Sequence, residues 1–126
     1  MRRTHTAVTT LVLLALAACG PTDDSADKGT RTGYTVRNKT ERTRIGSADL
    51  ILTGDTKTQT QARHAIKDYA HRIDGQDMYF LKAMTTEDAP RYICRARWYK
   101  DAKSYAAYSD HAEQPSTWPH LAMNCP

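Results

Sequence analysis

MYFLKAM (Met78 to Met84) and YICRARWY (Tyr92 to Tyr99), with TTEDAPR between them, are two β-prone runs joined by a loop that contains Pro90. They predict an antiparallel hairpin. If Met84 pairs with Arg91, Leu81 falls opposite Cys94, Tyr79 opposite Ala96 and Ala83 opposite Tyr92, all on one face. Side chains alternate with a period of two, so the other face carries Met78, Phe80 and Lys82 with Ile93, Arg95 and Arg97. The first face reads as core. The second is mixed, basic and partly apolar.

Working outward toward the N-terminus, Ala48 to Thr53 (ADLILT) is a short apolar strand stopped by Gly54-Asp55,. Between it and the hairpin, Thr58 and Gln61 have the form of a capping box. Ala62, Ala65, Ile66, Tyr69, Ala70 and Ile73 then recur at steps of three and four, laying one apolar stripe along a helix that Asp74-Gly75 ends,. Toward the C-terminus, Lys100 to Tyr108 (KDAKSYAAY) is a short second helix. The turn-rich SDHAEQPSTWP follows, and His120 to Cys125 (HLAMNC) is either a last strand or an irregular tail,. The order strand, helix, strand, strand, helix, strand predicts a two-layer α+β domain with two helices on one face of an antiparallel sheet. The ferredoxin-like arrangement is the candidate topology.

At the other end of the chain, Arg2 and Arg3 precede an uncharged, largely apolar run from Ala7 to Ala18. That is the layout of an export signal, and the run is too short to span a bilayer, which needs about 20 residues. It closes on Leu16-Ala17-Ala18-Cys19, which resembles the lipobox of bacterial lipoproteins, with Ala where Gly is commoner before the cysteine. The resemblance covers residues 1–19 only. It implies that residues 1–18 are a signal peptide, that Cys19 carries fatty acyl chains (palmitate among them), and that the protein is held outside the cytoplasm on the cell membrane. Two or three chains make a stable anchor where one is marginal, at about 0.8 kcal/mol per buried methylene.

Processing there would leave 108 residues, enough for one domain, with 16 basic and 14 acidic side chains, a formal +2 against +4 for the whole chain,. So small an excess, outside the cytoplasm, gives no ground for a nucleic-acid partner. Residues 19–33, including GPTDDSADKGTRTG from Gly20 to Gly33, read as a flexible tether, and residues 34–126 as the domain,. The cations Arg31, Arg37, Lys39, Arg42 and Arg44 follow the tether against one Glu41, either as a solvated strand-like stretch or as a patch for anionic headgroups,.

With Cys19 taken by lipid, Cys94 and Cys125 remain in a compartment where disulfides persist,. A bridge between them is expected, with two buried thiols or a reactive pair as alternatives; neither lies in a CxxC motif. The bridge conflicts with the ferredoxin-like topology. There the third and fourth strands run parallel with the first between them, too far apart to join Cys94 to Cys125.

Candidate chemistry is sparse. His64, Asp68 and His71 share a face of the first helix and could hold a metal through two imidazoles and a carboxylate, but Arg63, Lys67 and Arg72 crowd the same face with positive charge,. No serine lies in a GxSxG turn, no pair of carboxylates is fixed together, and there is no phosphate loop or run of zinc-ligand cysteines,. No cofactor is expected. Seven Tyr and two Trp against one Phe favour interaction surfaces, where Tyr, Trp and Arg are enriched,. Tyr79, Tyr92 and Trp98 are assigned to the core, and Phe80, Arg95 and Arg97 to a binding surface. The expected role is a non-catalytic binding module at the cell envelope, its partner an envelope protein or a cell-wall polymer. A small envelope hydrolase or metal-binding protein, or a structural stabiliser of an envelope complex, are the alternatives.

Overall fold

The computed structural model describes residues 30–31, 33–111 and 113–126; the export signal, Cys19 and most of the tether lie outside the described residues. The chain is α+β. Strands β1 (Thr30–Arg31), β2 (Tyr34–Glu41), β3 (Ile45–Leu52), β4 (Met78–Met84), β5 (Cys94–Tyr99) and β6 (His120–Asn124) form one sheet in that spatial order. Helix α1 (Gln59–Ala70) connects β3 to β4, and helix α2 (Ala102–Tyr108) lies between β5 and β6.

The cationic stretch after the tether is a strand. Tyr34 and Val36 are buried at alternate positions of β2, and Asn38, at φ +49°, marks an irregularity where the β2/β3 register shifts between Arg37 and Thr40. Arg42 N–H donates to the Ile45 carbonyl (3.0 Å) across the β2–β3 turn. Two residues of the stretch read as tether, Thr30 and Arg31, pair with Thr35 and Tyr34.

Helix α1 starts as its sequence dictates. Thr58 Oγ1 accepts from Gln61 N–H (3.2 Å) while Gln61 Oε1 accepts from Thr58 N–H (3.0 Å), a reciprocal capping box,. Its stripe of Ala62, Ala65, Ile66 and Tyr69 is buried against Val36, Leu50, Leu52, Leu81, Ala83, Ala96 and Trp98. Ile66 is 0 % exposed, so truncation to Ala would cost about 2 to 5 kcal/mol,. Past the helix end, Gly75 takes the left-handed conformation at φ +73°,.

Three features differ from the expected architecture. The sheet is mixed: the α1 crossover lays β4 parallel to and directly beside β3, with Ala48 opposite Leu81, so no later strand inserts between them. The strand order is therefore not ferredoxin-like, and β5 and β6 add in turn, antiparallel, at the far side of β4. The two helices lie on opposite faces. Met78 and Tyr99 alternate with Tyr79 and Trp98, and where the latter pair faces α1, the former packs with Tyr105 of α2, flanked by Tyr108, Trp118 and Ala122,. A Tyr105–Tyr99 edge contact (4.9 Å between centroids) and a Tyr105–Trp118 contact (5.8 Å) build this smaller cluster. Two apolar residues at adjoining strand ends, facing away from α1, are what α2 covers.

The β4/β5 register differs from expectation by two residues: Ala83 pairs with Cys94, Leu81 with Ala96 and Tyr79 with Trp98. A shift of two keeps the side chains within the two strands on their faces, whereas Tyr92 and Ile93, which precede β5, exchange sides: Ile93 packs with the α1-side core and Tyr92 lines the open side. Antiparallel adjacency of β5 and β6 also removes the conflict over the cysteines. Arg95 pairs with Asn124, which brings Cys94 and Cys125 together, and they form a disulfide with a Cα–Cα distance of 4.2 Å.

Candidate binding face

Opposite α1, the sheet surface beyond the reach of α2 is open. Alternation brings to it Ser47 and Asp49 from β3, Phe80 and Lys82 from β4, Arg95 and Arg97 from β5, and Ala122 and Asn124 from β6. With Asn38, Tyr92, Asp110 and His111 at the margins they line a concave groove of about 860 Å³. Phe80, Arg95 and Arg97 are all exposed here, on the one face where strand alternation in the hairpin puts them. Phe80 retains 39 % of its accessible surface; with Ile45 it is one of two large apolar side chains exposed among the described residues.

The polar groups are arranged by cross-strand pairing. Asp49, only 8 % exposed, lies opposite Lys82, whose Nζ is 3.3 Å from Oδ1, while Asn38 Nδ2 donates to Oδ2 at 3.0 Å. A buried carboxylate is thereby held by one cation and one amide, the pairing that such burial requires. Phe80 lies opposite Arg97, whose guanidinium sits 5.5 Å from the ring centroid, within range of a cation–π contact. Lys82 lies directly opposite Arg95, an unfavourable like-charge pair. Arg95 is turned onto the Tyr92 ring at 5.3 Å, and Arg97 approaches Asp110 Oδ2 at 3.8 Å.

Sequence reasoning missed Asp49, Asn38 and the position of Tyr92. For Asp49 a signal was present, since one acidic residue between Ala48 and Leu50 must face away from a core that takes both neighbours,. Tyr92, assigned to the core, precedes β5 and is half-buried beside Arg95; the shorter strand frees it from the alternation. Tyr79 and Trp98 are core residues as expected.

On the α1 side the structure does not assemble the histidine cluster into a metal site. Asp68 accepts from Tyr34 Oη at 2.6 Å and pairs with Arg72 at 3.3 Å, and His64 and His71 are exposed. Among the described residues no group of three His, Cys, Asp or Glu side chains is placed to hold a metal ion. The basic stretch is partly neutralised: Arg37 pairs with Glu87 (3.8 Å), Lys39 with Glu41 (3.2 Å) and Arg44 with Asp77 (3.7 Å). A buried polar chain runs under α1, where Tyr79 Oη lies 2.9 Å from Tyr69 Oη and donates to Glu41 Oε1 at 3.1 Å. Burial first, and the hydrogen bond with Tyr69 second, push the Tyr79 pKa well above the ordinary tyrosine value, so the hydroxyl stays neutral and available as a donor,.

What the open face can do chemically follows from its inventory: two guanidinium groups within cation–π range of aromatic rings, a buried carboxylate already engaged, and a partly exposed phenyl ring. This is equipment for gripping an anion beside an apolar contact. In comparison with known proteins the chain matches no family model, and no curated protein or solved structure is significantly similar to it.

Proposed function

We propose that the chain is a lipid-anchored extracytoplasmic lipoprotein, tethered to the cell membrane through Cys19, which works by binding a partner at the cell envelope on its open sheet face. The observation that carries the binding role is Phe80 held exposed beside Arg97, next to a Lys82–Arg95 pair of like charge. The Phe80–Arg97 contact returns only about 0.5 to 1 kcal/mol at an exposed site, and an exposed aromatic ring beside a pair of like charges is the kind of surface that a bound partner covers. The anchor rests on the lipobox-like ending Leu16-Ala17-Ala18-Cys19. The partner is an envelope protein or a cell-wall polymer.

Detergent-extracted full-length protein tests this by capture of envelope proteins and cell-wall polymer. Arg97→Ala should change stability by no more than about 0.5 kcal/mol, as at most surface sites. Phe80→Ala should cost about 1 kcal/mol, since only part of the ring is covered,. Both variants should keep the wild-type circular dichroism spectrum and lose capture of the partner. Undiminished capture by both would move the working surface elsewhere.

A further inference from the structure

The open face has two guanidinium groups with unmet demand, and their spacing is informative. Arg95 and Arg97 are alternate residues of β5 pointing to the same side, so they repeat at about 6.8 Å, twice the rise of an antiparallel strand. Each guanidinium carbon lies over a ring, Arg95 over Tyr92 at 5.3 Å and Arg97 over Phe80 at 5.5 Å. A cation–π contact restrains each side chain, and a planar guanidinium fork is suited to meet a carboxylate in bidentate fashion.

Charge bookkeeping across the groove leaves both forks short of a partner. Of its two carboxylates, Asp49 is taken up by Lys82 and Asn38. Asp110 reaches Arg97 only at 3.8 Å with 92 % of its side chain exposed, a contact that solvent screens and a ligand readily displaces. Arg95 pairs with no carboxylate among the described residues and faces Lys82 instead. On the β6 side, Ala122 lies opposite Arg97 and Asn124 opposite Arg95. These short side chains leave the groove low beside both forks.

Resting on the binding role proposed above, we infer that this face receives an extended acidic peptide segment of a partner protein, running along β5 with carboxylates on alternate residues. An extended peptide presents every second side chain on one side at the same repeat of about 6.8 Å that separates the two guanidinium groups. Two carboxylates two residues apart therefore meet Arg95 and Arg97 together, while carboxylates three residues apart point to opposite sides. Phe80 supplies the apolar contact beside them. The anionic segment also offsets what remains of the Lys82–Arg95 repulsion once Lys82 has paired with Asp49,.

The test uses detergent-solubilised full-length protein and fluorescein-labelled Thr-rich peptides of identical composition, with two aspartates at either i, i+2 or i, i+3. Fluorescence anisotropy should show the i, i+2 peptide bound about tenfold more tightly, the loss expected when one of two charged contacts is forfeited. Arg95→Gln and Arg97→Gln should each remove most of that preference, and Arg97→Lys should not restore it. Polygalacturonate, a linear anionic polysaccharide, should compete weakly. Equal affinity for the two peptides, no peptide binding, or stronger Arg-dependent binding of polygalacturonate would overturn the inference. If capture of the envelope partner still depends on Phe80 and Arg97 in those cases, the binding role stands and only the ligand class falls; if that dependence is absent, the binding role falls with it.

Discussion

Gly46→Ala should destabilise the protein, although at a strand position with ordinary φ the same change elsewhere would help. Replacing Gly with Ala at a compatible backbone conformation normally gains about 0.4 to 1 kcal/mol by restricting the unfolded chain. Here Gly46 lies directly opposite Tyr79 in the parallel β3/β4 pair, and the Tyr79 ring lies across the position a Cβ would take. That Cβ would stand 2.9 Å from Cζ and closer still to Cε2 and Cδ2. The ring has nowhere to retreat, being 0 % exposed and fixed by Tyr69 at 2.9 Å and Glu41 at 3.1 Å. Overpacking a core costs about 1 to 3 kcal/mol, and loosening either hydrogen bond adds about 1 kcal/mol. After the entropic gain is subtracted, a net loss of about 1 to 3 kcal/mol remains, or roughly 5 to 15 °C in melting temperature for a domain of this size. Thermal melts of the single variants and of Gly46→Ala in a Tyr79→Leu background isolate the cause, because without the ring the alanine has room. The coupling between the two sites should be at least 1 kcal/mol, of the size seen between residues in contact. A Gly46→Ala protein that melts with wild type, or one whose penalty persists unchanged in the Tyr79→Leu background, would mean that the Tyr79 ring is not what keeps this position glycine.

Reduction of Cys94–Cys125, whose partners are 31 residues apart in the chain, should remove roughly 3.5 to 4 kcal/mol in the chain-entropy account and lower the melting temperature by more than about 10 °C. Intact-mass analysis after alkylation without reductant should find neither of these two thiols labelled. Cys19→Ala should abolish incorporation of labelled fatty acid, since a thioether needs the sulfur; equal incorporation in the variant would reject the anchor. The hydrogen bond from Ser104 N–H to Asp101 (2.8 Å), then a second from its hydroxyl, holds the Asp101 carboxyl below the ordinary 3.8. A depressed folded pKa means that the cap contributes above 3.8 and loses its contribution as pH falls through the lower folded value. Near-ultraviolet circular dichroism of the Tyr105–Trp118 cluster should therefore weaken over that acid window, and Asp101→Asn, which caps without titrating, should flatten the dependence.

Periodicity made the two faces of the β4–β5 hairpin legible. Phe80, Arg95 and Arg97 face outward in either register, because alternation depends only on whether the shift is odd or even. The capping box at Thr58 and Gln61 marked the start of α1 for a similarly local reason. Strand β2 was harder to read. Its alternation of Tyr34 and Val36 breaks at Asn38, and the Arg and Lys side chains beyond resemble any solvated stretch. Strand order was not legible from local pattern either, since nothing in ADLILT or MYFLKAM says whether a third strand will come between them. The one long-range mark was the cysteine pair, which already disagreed with a ferredoxin-like order and fits β5 beside β6. The side of the sheet taken by α2 depended on Met78 and Tyr99 meeting at adjoining strand ends, a coincidence of tertiary structure. In the groove, Asp49 was visible as an acid inside an apolar strand, whereas the opposition of Lys82 and Arg95 needed the true register.

Spatial order in the sheet is the same as chain order, from β1 to β6, and this bears on how the molecule assembles. Each strand docks on the one made just before it, so every closure spans only the intervening turn or helix and the loop-entropy cost stays modest. A chain emerging N-terminus first always finds its template already in place, and no early strand edge waits for a distant segment to fill it. The last strand is the exception in one respect. It follows the turn-rich stretch after α2 and finds its place late, and the Cys94–Cys125 bond then makes that final addition difficult to reverse.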